Sequence, residues 1–307
     1  IGQVLWGLGY TFTSGAQQAW ISDEIGEENA AAAFLRAAQL ENIAAIVGIA
    51  LGTALGEVSY QLPIIFGGVI FFILGSWLVF SMPENGFHPT PAGERTTWQR
   101  MAHTFKDGLK MVKRRPALTG ILAIGLIYGL YSEGFDRLWT AHMLERFTIE
   151  GLGGLSTVTW FGLMRLVQTL LGIAALEAVN RRVDLAKPRS LVLVLTLCSA
   201  GLVLALGGFA LAASFALSVG LVWLISVLRQ LIGPLYTAWV NHRLDPQVRA
   251  TVISMSSQTD ALGQIAGGPV VGLVAQKLTL QAGLLLSTGM LAPVLALLGL
   301  QFRSKEE

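Results

Sequence analysis

The stretch Pro83-ENGFHPTPAGERTTWQRMAHTFKDGLKMVKRR-Pro116 decides how the rest of this chain is read. It is the one long polar segment in an otherwise apolar sequence. Seven basic residues fall inside it: Arg95, Arg100, Lys106, Lys110, Lys113, Arg114 and Arg115. Apolar spans flank it unequally, three before and six after.

The composition supports a chain built for lipid. Of the 307 residues, 53% are hydrophobic and only 13% charged, whereas soluble domains carry about 25% charged residues. The charges cluster between apolar runs, and a helix needs about 20 residues to cross a bilayer. The spans are 1–20, 31–56, 62–82, 117–143, 155–179, 190–208, 213–241, 250–276 and 280–302. Their length, their Leu, Ala and Gly content, and the lack of period-2 alternation favour helices over strands. The fold class expected is therefore an all-α membrane protein with nine transmembrane helices. A net charge of +2 suggests no nucleic-acid partner, and the single cysteine, Cys198, excludes an intrachain disulfide framework.

Basic residues set the orientation. One set of alternate loops holds Arg36, the seven residues of the long segment, Arg181, Arg182, Lys187, Arg189, Arg243, Arg249, Arg303 and Lys305; the other holds Arg146 and Lys277. The richer side is expected to be cytoplasmic, with the long loop and Glu307 on it. Within that loop Trp98, Met101, Ala102, Phe105, Leu109 and Val112 recur at helical spacing. They suggest a helix lying at the headgroup boundary, or else a solvated basic linker.

An internal repeat organises the spans. A shift of 219 residues carries Ala19–Trp20 onto Ala238–Trp239, Ala31 onto Ala250, Gln39 onto Gln258, Glu41 onto Asp260, Ile46 onto Ile265 and Gly48 onto Gly267. Both acids then sit about 15 Å into the membrane. The repeat unit is six spans long, which makes 1–82 the last three helices of a first half, 83–116 a central loop and 117–307 a complete second half. On this reading three helices are expected before Ile1, for twelve in all.

Parallel halves of six helices are the major facilitator architecture, and the local residues carry a resemblance to that superfamily. Gly7-Leu-Gly9 through Thr13-Ser14-Gly15-Ala16 and Ala19-Trp20-Ile21-Ser22-Asp23 resembles the family's fourth helix and following acidic loop. Gly263-x-x-x-Gly267-Gly268-Pro269-x-x-Gly272 resembles the Gly-Pro motif of drug:proton antiporters, although that motif usually lies on the fifth helix. Here the corresponding Gly48, Gly52 and Gly56 lack the proline. The resemblance implies alternating access, a small-molecule substrate, a proton gradient in place of a cofactor, and monomers among lipids. Export of an amphipathic solute and import of a small polar metabolite both stay open, as does a non-transporting scaffold. No HExxH, GxSxG or P-loop motif points to an enzyme or an ATP-driven pump.

Charge inside a bilayer is costly unless it faces a wet cavity or a partner, so the intramembrane charges are the candidates. Span 117–143 carries Tyr128, Tyr131, Glu133, Asp136 and Arg137. Glu133 is either a proton carrier or half of a fixed ion pair; Asp136 and Arg137, near the exit, either pair, form an outer gate or take part in transport, with Asp136 a further proton-coupling candidate. Arg165, with Gln168 a turn on, either holds an anionic substrate or neutralises Glu133. Arg229 and Asp260 are expected to pair, and Glu41 is a further proton-site candidate. Gly48, Gly52, Gly263 and Gly267 are expected to allow close helix contact or a flexing seam, with kinks at Pro234 and Pro269. Trp6, Trp20, Trp160, Trp223 and Trp239 suit either an apolar substrate or the interface belt. Spans 62–82, 190–208 and 280–302 contain no charge and are expected to face lipid.

Overall fold

The computed structural model describes residues 2, 5, 7–9, 16–83, 116–183, 187–242 and 246–303. All regular structure among them is helical. The chain separates into two compact units, Ile1–Thr97 and Trp98–Glu307.

The first unit contains α1 (Ala16–Ile25), α2 (Glu27–Val58) and α3 (Leu62–Ser81). The acidic loop expected after residue 20 shrinks to one residue. Gly26, at φ 81°, breaks the helix, a left-handed conformation that favours glycine. α1 packs on α2 and α2 on α3, and the Trp20 indole donates to the Pro83 carbonyl at 2.7 Å. α3 has no buried residue; Phe71, Phe72, Val79 and Phe80 are all exposed. A helix apolar on all sides belongs in lipid.

The second unit holds α4 (Pro116–Arg146), α5 (Thr157–Arg182), α6 (Pro188–Leu211), α7 (Phe215–His242), α8 (Pro246–Lys277), α9 (Leu280–Leu291) and α10 (Pro293–Arg303). α4 is central: α8 packs against it most extensively, and α7, α9 and α10 also touch it. α6 lies between α7 and the α9–α10 pair, whereas α5 rests chiefly on α7. Residues 280–302 were expected as one span. Leu280–Leu300 is one candidate membrane span, and within it Pro293, which has no N–H to donate, marks where α9 gives way to α10. By contrast α7 and α8 run on through Pro234 and Pro269.

Span 190–208 is two-sided rather than wholly lipid-facing. Leu191, Leu195, Leu202, Leu206 and Phe209 are buried in the unit; Leu193, Leu197, Leu204 and Leu211 form an exposed stripe. Hydrophobicity alone could not separate these faces, because protein and lipid accept the same side chains.

Seven helices among the described residues are long and apolar enough to cross a membrane, not nine. Span 1–20 falls largely outside the described residues. Span 250–276 is helical throughout but is not one of the seven; its Ser, Thr, Gln and Asp residues dilute its apolar character. The repeat does reach the helix ends. A shift of 219 residues carries Glu27–Val58 onto Pro246–Lys277, giving two helices of 32 residues. The interfacial helix expected over Trp98–Val112 lies outside the described residues.

Candidate functional site

The contact between α4 and α8 is made by glycines on both helices. A Cβ placed on Gly129 would lie 2.0 Å from the Asp260 carbonyl oxygen. One on Gly263 would lie 2.3 Å from the Leu126 oxygen, and one on Gly267 2.0 Å from the Leu130 oxygen. No side chain fits there, so the two backbones touch, as small residues allow between membrane helices. Gly263 and Gly267 thus take the packing role expected of them. Gly48 and Gly52 do not within their own unit, where a Cβ would meet nothing within 4 Å.

Beside this seam α4, α7 and α8 enclose a cleft of about 420 Å³. Tyr128, Tyr131, Glu133, Asp136, Arg229, Tyr236, Asp260 and Gln264 are among its lining residues. Arg229 on α7 makes a two-pronged ion pair with Asp136 on α4: Nη1 donates to Oδ1 at 2.5 Å and Nη2 to Oδ2 at 2.8 Å. The guanidinium carbon lies 5.9 Å from the Tyr131 ring centroid and 5.6 Å from that of Phe135, within cation–π range. The Arg229 side chain is 28% exposed and that of Asp136 48% exposed, so the pair remains open to the cleft.

The tyrosines form one cluster. Tyr128 meets Tyr131 and Tyr236 edge-on, with centroids 6.4 and 5.9 Å apart. The Tyr128 hydroxyl is 2.8 Å from the Ser199 hydroxyl, which donates to the Leu195 carbonyl. The Tyr236 hydroxyl donates to the Ile121 carbonyl at 2.7 Å and lies 2.8 Å from the Ser256 hydroxyl. Bonded hydroxyls hold the Tyr128 and Tyr236 rings, half-buried at the cleft, in place, while Tyr131 is buried beside them.

Two sequence pairings need correction. Arg229 pairs with Asp136, not Asp260. Depth along the helices matched Arg229 to Asp260, but antiparallel α4 and α7 bring Asp136 within the reach of a long guanidinium side chain. Asp260 instead accepts a hydrogen bond from the Gln264 amide, one turn on, at 2.8 Å. Glu133 is paired with Arg137 on its own helix at 3.0 Å, not with Arg165. Arg165 is exposed on α5 and does not line the cleft. Gln168 is buried on the α5 face that also buries Met164 and Gly172, away from the cleft. No described tryptophan lines the cleft: Trp239 is buried behind it, while Trp160 and Trp223 donate to Leu152 and Met164 carbonyls.

Residues 1–268 match the family described as the Major Facilitator Superfamily. The chain belongs to that superfamily. An uncharacterized MFS-type transporter of Bacillus subtilis (strain 168), YxaM, is 20% identical to this Major Facilitator chain over 284 residues. That match covers 92% of the chain and 68% of YxaM. The crystal structure of the human organic anion transporter MFSD10 (TETRAN) shares its fold with a TM-score of 0.51 at 20% identity. There the match covers 60% of this chain, which spans only 41% of the MFSD10 chain. As a Major Facilitator protein, the chain is a multi-pass membrane protein of a transporter family, not an enzyme.

Within that family frame, Tyr128, Tyr131, Glu133, Asp136, Arg229 and Asp260 share one cleft. Glu41 lies in the other unit, exposed on α2 and without an ion pair among the described residues. Sequence reasoning missed Tyr236, Ser256, Ser199 and Gln264. The first was a phenol in an apolar span, and the last an amide at i+4 from an acid. Both signals were present. It also missed Gly125 and Gly129 on α4, whose spacing of four mirrors Gly263 and Gly267 on α8.

Proposed function

We propose that this protein is a proton-coupled secondary transporter of the cell membrane that exports a drug-like or amphipathic small molecule by alternating access. The long loop and the C-terminus lie in the cytoplasm on this reading, following the basic residues. The observation that carries the proposal is the Asp136–Arg229 pair, open to a cleft in an apolar bundle. Charges in such a place are costly unless they are compensated or used. Protonation of Asp136 would cancel its charge and end the two-pronged pair with Arg229, and so change both the charge and the shape of the cleft. That links proton occupancy to the α4–α7 contact, and through it to which side is open. Export is supported by the likeness of Gly263 to Gly272 to the antiporter motif. The importer reading placed both Arg165 and Glu133 against a polar substrate; Glu133 lines the cleft and Arg165 does not.

The test is dye accumulation in inverted membrane vesicles under an imposed pH gradient. Wild-type vesicles are expected to accumulate a lipophilic dye when the lumen is acid. Asp136→Asn should abolish accumulation while leaving dye exchange without a gradient. Gradient-driven accumulation in that variant would remove Asp136 from coupling, and accumulation in the opposite sense would reject export.

A further inference from the structure

We infer that the cleft selects a cationic head group, with Asp260 as the group that meets it. This rests on the transport reading above and names its substrate class. Among the described lining residues three carboxylates face one guanidinium. Arg229 is engaged at both terminal nitrogens by Asp136 and is covered by the Tyr131 and Phe135 rings. It presents no free fork to an anion. Arg137 reaches Glu133 from the rim. Asp260 makes no ion pair among these residues: it accepts from the Gln264 amide and feels Arg229, already held by Asp136, only at longer range. A single unbalanced carboxylate in a low-dielectric cleft gains most from a mobile cation.

The walls suit the same ligand. Tyr128, Tyr131 and Tyr236 line the cleft, and the hydroxyls of Tyr128 and Tyr236 are already bonded to Ser199, Ser256 and the Ile121 carbonyl. The rings of half-buried Tyr128 and Tyr236 remain, Tyr131 being buried against Arg229, and aromatic faces attract cations. The ligand implied is a monocation with apolar substituents, such as a protonated amine or a quaternary centre.

Tetraphenylphosphonium and tetraphenylborate separate charge from greasiness, since they have nearly the same shape and opposite charge. Binding of each to the purified full-length transporter in lipid nanodiscs is the test. The phosphonium is expected to bind at least about tenfold more tightly than the borate. Asp260→Asn should erase that preference, and Asp260→Glu, which keeps the charge, should preserve it. Equal binding of the two ions, tighter binding of the borate, or an unchanged preference in Asp260→Asn would overturn the inference. Should neither ion bind while a pH gradient still drives dye transport, the cation inference falls and the transport reading stands. Asp260-dependent phosphonium binding without any gradient-driven transport would uphold the inference and reject transport.

Discussion

α2 and α8 are the same helix twice, by length and register, yet they stand in different surroundings. Each spans 32 residues, and the repeat superposes Ala44, Gly48, Gly52 and Gly56 on Gly263, Gly267, Val271 and Ala275. On α8 that stripe is buried, with Gly263 and Gly267 against the α4 backbone. On α2, Gly48 and Gly52 meet nothing in their own unit. A row of small residues therefore states that a helix can be approached closely; it does not state by what. The partner is written elsewhere in the chain, here in Gly125 and Gly129 of α4.

The comparison can be broken most sharply by filling both stripes. Gly267→Leu must push α8 off the Leu130 carbonyl, where even a Cβ would lie at 2.0 Å. Overpacking costs about 1–3 kcal/mol where side chains can yield, and a backbone obstacle yields less. The variant is expected to lose its monodisperse peak on size exclusion in detergent, whereas Gly48→Leu should leave the thermal unfolding midpoint of the first unit unchanged. Equal damage from both would show that α2 is packed as α8 is.

The acids extend the same comparison to function. Asp260 lines the cleft and Glu41, its repeat partner, lies exposed on α2. Asp260→Asn is expected to lower the initial rate of gradient-driven transport by about tenfold or more, and Glu41→Gln to change it by no more than about twofold. The reverse order would place the working acid in the first half. The smallest effect is expected at Glu133→Gln. Its pair with Arg137 joins residues four apart on one helix, and the Arg137 side chain is 71% exposed. Such pairs contribute about 0.3–0.5 kcal/mol, so the unfolding midpoint should hardly move. Gradient-driven transport should also persist; its loss would transfer the coupling role from Asp136 to Glu133.

Most of the helices were legible in the sequence because lipid permits few alternatives: a long apolar run must satisfy its own backbone. The repeat was legible too, although the spans 31–56 and 250–276 stop short of the ends of α2 and α8. Side-chain pairing was not. Depth along a helix can be counted, but azimuth and reach cannot, which is why Arg229 was matched to Asp260 rather than Asp136. Lipid-facing and core-facing leucines on α6 were indistinguishable for a related reason, since neither environment penalises leucine. The region 280–302 was legible as one span, but the junction of α9 and α10 inside it at Pro293 was not, because proline in membrane helices is often tolerated, as it is at Pro234 and Pro269.

α5 is held mainly by α7, and the contact has a particular shape. Met164, Gln168 and Gly172 form its buried face, and a Cβ on Gly172 would fall 1.6 Å from the Gln230 amide oxygen. Gln230 follows Arg229 directly in the chain. One residue of α7 thus grips an acid on α4 while its neighbour is wedged against α5. Any turn of α7 about its long axis acts on both at once, like a cam between two followers. Whatever loosens the grip on one side must be felt as a shove on the other.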